Sequence, residues 1–167
     1  ILLDTRWFRT PLSTKGNAYV PIEGDKVTLL GEAQWKWLHQ ELKKPADARL
    51  IISSIQLLNE GHRFEKWANM PKEHQRFLEL LKSTKTTGRT VILSGDRHFA
   101  EISRLNTKEG SSLWEVTSSG MTHAGGGGGD KNPLRVGNNY RSRNFGSLKI
   151  EWEARPVFHF SIHDNDG

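Results

Sequence analysis

Val91-Ile92-Leu93-Ser94-Gly95-Asp96-Arg97-His98 passes from an apolar run into a glycine followed by three ionisable side chains. Short apolar, β-branched runs form buried strands, and in open α/β sheets functional groups collect where loops leave the carboxyl ends of strands. Gly95 lets the chain turn there with no side chain in the way. Asp96 and His98 stand at i and i+2, positions that face the same way in extended backbone. A carboxylate and an imidazole so placed can hold hard or borderline cations. The same triplet also suits a plain turn with an Asp–Arg ion pair and an exposed histidine, and spacing alone leaves both readings open.

Arg49 to Ile55 is another short apolar run and reads as a buried strand, with Ser53-Ser54-Ile55-Gln56 at its polar end. Between these strands, residues 72–84 have helical spacing, with Pro71 where its missing N–H costs little and with Phe77, Leu80 and Leu81 inward. An earlier helix is expected from Gly31, with Glu32 suited to its start and Lys43, Lys44 and Pro45 ending it. Leu38 and Leu42 share its inner face with Ala33 and Trp37, and both Trp35 and Trp37 are assigned to packing. Ile1 to Thr5 reads as a buried strand, and residues 10–26 as a loop rich in breakers. Leu113 to Thr117 reads as a strand, and residues 124–144 as a glycine-rich basic loop whose run Gly125 to Gly129 is a flexible insertion. Gly146 to Trp152 and Val157 to Ile162 alternate like half-buried antiparallel strands around Ala154-Arg155-Pro156. Strands alternating with helices, then plain strands, predict a layered α/β fold with a mixed sheet. Residues 1–167 form one unit with no internal linker.

Hydrophobic residues at 35% and charged residues at 26% suit a globular chain on the polar side. No apolar run approaches the roughly 18 residues of a transmembrane helix, so no membrane span is expected. Without cysteine there is no disulfide framework, thiolate nucleophile or zinc ribbon, and the compartment is left open. The net charge of +5 is interspersed with acidic residues. The densest basic group, Arg135, Arg141 and Arg143, fits a solvated loop, so nucleic acid is not expected as a primary partner. A polyanion-binding surface from Lys131 to Arg143 is the weaker reading of that stretch. The chain opens on Ile1 without Met or a leader pattern, from which a fragment of a longer protein is expected.

Several segments, in order, resemble the C-terminal half of the PhoD-like alkaline phosphatases of the calcineurin-like metallophosphoesterase superfamily. They are Leu3-Asp4-Thr5-Arg6, Leu30-Gly31-Glu32-Ala33-Gln34-Trp35-Lys36-Trp37-Leu38, Ile52-Ser53-Ser54-Ile55-Gln56 and Glu65-Lys66-Trp67-Ala68-Asn69. They continue with Leu93-Ser94-Gly95-Asp96-Arg97-His98-Phe99-Ala100-Glu101, Thr117-Ser118-Ser119-Gly120-Met121-Thr122-His123 and Asn144-Phe145-Gly146. The resemblance implies an incomplete α/β/β/α layered fold with mixed sheets, lacking its N-terminal half. It implies that the full-length parent hydrolyses phosphate mono- or diesters with metal ions, and that this chain alone is inactive.

Superfamily members end a late strand with Gly-His-x-His, and Gly95-Asp96-Arg97-His98 resembles that motif with Asp96 in place of the first histidine. His98 and Asp96 are therefore the implied metal ligands. A carboxylate there suits a harder cation such as calcium, magnesium or ferric iron, and calcium and iron are the expected cofactors, in sites completed by the missing half. Gln56 ends a strand whose counterpart carries an earlier metal histidine, which makes its carbonyl, or nearby His62, a further candidate. Asp4 and Arg6 fall near the implied site edge; Arg6 could grip a phosphate oxygen or pair structurally with Asp4. Trp67 and Asn69 lie in a segment that could border substrate, with Trp67 more simply a packing residue, and His123 is a candidate for the rim. No residue here is assigned as catalytic acid or base, and Arg97 is given at most a role behind the ligands. By family analogy the substrate is a phosphoester and the location is outside the cytoplasm. A catalytically inert interaction or scaffold domain that kept the fold is the alternative.

Overall fold

The computed structural model describes residues 1–86, 90–108, 110–125 and 130–166. In chain order it contains β1 (Ser13–Lys15), β2 (Ala18–Val20), α1 (Gly31–Lys43), β3 (Arg49–Ile52), a 3-10 turn (Trp67–Asn69) and α2 (Pro71–Ser83). Then come β4 (Thr90–Ser94), β5 (Ala100–Asn106), β6 (Ser112–Ser118), β7 (Arg135–Tyr140), β8 (Phe145–Glu151) and β9 (Val157–His163). A five-stranded sheet in the order β3-β4-β6-β5-β7 forms the centre. β3, β4 and β6 run parallel, while β5 and β7 are antiparallel to their neighbours. β4, between two parallel neighbours, is buried almost throughout, which is why its sequence is continuously apolar.

Both helices pack on the sheet face that carries Ile51 and Ile92. Trp67 stacks on Phe77 at 4.8 Å between ring centres and meets Trp35 edge-on at 6.4 Å. The start of α1 has no side-chain cap of its own. Instead Thr28 Oγ1 accepts from Gly31 N at 2.9 Å, one of the N–H groups that a helix start leaves unpaired. The buried Glu73 of α2 holds this approach in place, accepting from Leu29 N at 2.7 Å, Trp35 Nε1 at 2.8 Å and Thr28 Oγ1 at 2.9 Å.

The β8–β9 hairpin lies over the opposite sheet face and leaves a cleft of about 530 Å³ lined by Val91, Trp114, Phe158 and Phe160. Helices, mixed sheet and hairpin give the layered α/β arrangement expected from the sequence. Among the described residues, no helix is long and apolar enough to cross a membrane.

Several elements differ from expectation. Ile1 to Thr5 forms only an isolated parallel bridge, Leu2 to Ile52, at the outer edge of β3, and Leu2 is 69% exposed. The strand expected to reach Ile55 stops at Ile52, because Ser53 Oγ turns back to bond Ile55 O at 2.7 Å. In α1 the buried stripe is Trp35, Leu38 and Leu42, so Ala33 and Trp37 face solvent. Residues 10–26 contain the small β1–β2 hairpin. Residues 135–140, read as loop, are β7, and β5 was not foreseen. The glycine-run insertion falls largely on residues 126–129, outside the described residues.

Candidate functional site

β4 ends at Ser94, and the chain leaves through Gly95-Asp96-Arg97-His98-Phe99. Asp96 and His98 are exposed, whereas Arg97 and Phe99 between and after them are buried. The two candidate ligands thus face outward, but not because the backbone is extended. Asp96 has φ +61° and His98 φ +58°, the left-handed region that Asp and His enter more readily than most side chains. Gly95 has no positive φ, and a methyl group there would make only ordinary contact, 3.5 Å from Ser119 Cβ. Asp96 and His98 therefore make the turn that Gly95 was expected to make. Ser119 Oγ fixes it from the β6 side, accepting from Arg97 N at 2.9 Å and His98 N at 3.0 Å.

Two further side chains reach this loop. The His123 ring meets His98 edge-on, with centres 4.6 Å apart and planes at 76°. Arg6 Nη2 lies 3.3 Å from Asp96 Oδ2, while Arg6 Nη1 pairs with Glu65, which Arg9 also engages. Asp4 does not pair with the Arg6 guanidinium. Its Oδ1 accepts from Trp7 N at 2.9 Å and Arg6 N at 2.8 Å, and these bonds hold its carboxyl below the usual range. Asp4 therefore shapes the turn that delivers Arg6. Asp96, His98, His123 and Arg6 share one rim.

Gln56, His62 and Asn69 are buried. Gln56 Nε2 donates to Glu101 Oε1 at 2.7 Å and Thr117 Oγ1 at 2.9 Å, and its buried Oε1 has no partner among the described residues. Asn69 Oδ1 accepts from Lys66 N at 2.9 Å and so closes the 3-10 turn. Trp67 packs, donating Nε1 to Ser53 Oγ at 3.0 Å. His62 Nδ1 accepts from Phe64 N at 3.2 Å. Burial, with Arg97 and Lys66 nearby, pushes its pKa down to about 3, so it is neutral near pH 7.

The polar network around Gln56 went unread in the sequence. On the helix-covered sheet face, Ile92, Glu115 and Ser103 form one row, and Ser94, Thr117 and Glu101 the next. The face thus turns polar toward the end where β4 meets the candidate site. Glu101 accepts from Gln56, Asn59 and Arg135 Nε, the last at 2.7 Å. Glu115 accepts from Leu57 N and Leu58 N, both at 2.7 Å, and burial raises its pKa to about 7 against these bonds. The signal available was an acid set inside an apolar run, as in Leu113-Trp114-Glu115-Val116. Arg97 pairs with Asp130, and burial lowers its pKa while Asp130 and Glu101 oppose the shift.

A metal centre needs donors that converge. The rim holds two imidazoles in contact and one carboxylate that Arg6 already engages. Among the described residues, no three His, Cys, Asp or Glu side chains converge on one point to hold an ion. The donors fit part of a ligand set and do not close one.

The profile of the family described as PhoD-like phosphatase matches residues 1–156. A solved structure described as "Structure of PhoD" superposes with a TM-score of 0.66 at 22% identity, covering 96% of this chain and 38% of that one. At that identity the likeness establishes a shared fold, over little more than a third of the longer chain. No curated protein matches the chain.

Proposed function

The chain belongs to the PhoD-like phosphatase family, and we propose that it supplies one part of the active site of an enzyme hydrolysing phosphate mono- or diesters. The observation that carries this reading is the outward presentation of Asp96 and His98 at the carboxyl end of β4, with His123 against one and Arg6 against the other. His98, through an imidazole nitrogen, and Asp96, through a carboxyl oxygen, are the residues of this chain that would hold a metal, calcium or iron by the hardness of the oxygen donor. A bound ion would supply Lewis-acid polarisation of the phosphoryl oxygens. Neither His98 nor Asp96 serves as acid or base. Arg6 offers its planar fork to a phosphate oxygen when one displaces its contact with Asp96. Gln56, Asn69 and His62 spend the bonds described above inside the fold, on Glu101, Thr117, Lys66 and Phe64, and His123 borders the rim. The remaining ligands come from the part of the family fold that this chain does not span, and by family analogy the enzyme works outside the cytoplasm.

The test uses the full-length protein that carries this chain, assayed on p-nitrophenyl phosphate and bis-p-nitrophenyl phosphate. The parent hydrolyses at least one of them, and His98→Ala lowers kcat by about 100-fold or more. A folded parent that hydrolyses neither would favour an inert interaction domain instead.

A further inference from the structure

Arg97 plays no direct part in that reading, yet it is the most enclosed ionisable side chain of the loop. It is 4% exposed, and its guanidinium carbon lies 4.7 Å from the Phe64 ring centre and 5.1 Å from that of Phe99. Its Nη2 pairs with Asp130. The residues immediately before and after it both have left-handed backbone. Such conformations persist only where the surroundings over-determine them. Here the determinants lie on two sides. Ser119 Oγ holds the N–H groups of Arg97 and His98, and the Arg97 side chain is clamped inside. Gly125 N also reaches the loop, donating to His98 O at 3.0 Å.

We propose that Arg97 is a positioning residue: held between Phe64 and Phe99 and paired with Asp130, it anchors the loop from within and so fixes the outward-facing Asp96 and His98. The inference rests on the reading of those two residues as ligands. Arg97 acts through them and touches neither metal nor substrate. A guanidinium suits the place because it lies within cation–π range of two aromatic rings while its Nη2 meets a carboxylate, a combination that an ammonium group does not reproduce.

The experiment compares Arg97→Met, Arg97→Lys and Asp130→Asn with wild type in the full-length protein. Arg97→Met lowers kcat on p-nitrophenyl phosphate by about 30-fold or more with KM within about threefold, and Arg97→Lys restores part of the loss. Bound metal per chain, read by elemental analysis, falls in the same order. Amide exchange at residues 96–98 quickens while β4 and β6 stay protected. Asp130→Asn shows the same pattern more weakly, and it carries the test if Arg97→Met does not fold. Unchanged exchange at residues 96–98, or protection lost equally across β4 and β6, overturns the proposal. A wild-type protein without activity would sink the functional reading, while the exchange pattern would still decide whether Arg97 anchors the loop.

Discussion

At Ser119 a single hydroxyl oxygen accepts from two consecutive N–H groups, those of Arg97 and His98. Ser119→Ala leaves both without that partner while the backbone stays in its left-handed turn. The expected cost is about 1–3 kcal/mol in urea unfolding, and a change below about 0.3 kcal/mol would show that the turn holds itself. His62 makes a second prediction. Its folded pKa of about 3 lies below the ordinary 6.5, so its contribution is fully present above pH 6.5 and is lost as pH falls toward 3. Glu115 works in the opposite sense. Raised to about 7 from 4.5, it contributes most below pH 4.5, and that contribution is lost as pH rises through 7. His62→Asn keeps an acceptor for Phe64 N but does not titrate. Between pH 6 and pH 4 wild type loses stability relative to this variant by about 1.4 kcal/mol per unit at most, in urea titrations. Parallel curves would contradict the buried, neutral His62. Asp96 and His98 stood out as candidates because an ionisable pair after an apolar strand is conspicuous, and the structure exposes both. Glu101 and Glu115 did not stand out, because the sequence does not say that loop N–H groups and amides wait above them.

The elements divide along the same line. α1, α2 and β4 were legible within a residue or so, since strong periodicity or a continuous apolar run leaves little choice. β5 was hidden because its buried positions hold Glu101 and Ser103, which read as loop until their partners are known. β7, largely exposed and reading Arg-Val-Gly-Asn-Asn-Tyr, offers little strand signal of its own; it forms by pairing with β5 and by the Arg135–Glu101 ion pair. The join between β6 and β8 depends on Gly120. A Cβ there would collide with the side-chain amide of Asn144, which donates to Ser142 O at 2.7 Å and accepts from Ser118 Oγ at 2.9 Å. Gly120→Ala should therefore cost about 1–3 kcal/mol and shift NMR resonances at residues 118–123 and 142–146, leaving those of α1 in place. Shifts spread evenly over the chain would argue against a local join.

For the molecule as a whole, the layer order follows from where apolar faces must go: two amphipathic helices on one face of a mixed sheet, and a hairpin on the other. Near the sheet end several arginines are paired with acids, Arg6 and Arg9 on Glu65, Arg97 on Asp130 and Arg135 on Glu101. Within the basic stretch from Lys131 to Arg143, Arg135 is taken up by Glu101. The site was legible only in outline. Its loop stands out in the sequence, but among the described residues no three donors converge on one point, and the chain covers 38% of the PhoD chain it superposes on. The most direct measurement is elemental analysis of the full-length protein beside its His98→Ala variant. The account predicts that the variant loses roughly one bound metal ion per chain while remaining folded. Unchanged metal content in a folded variant would contradict it.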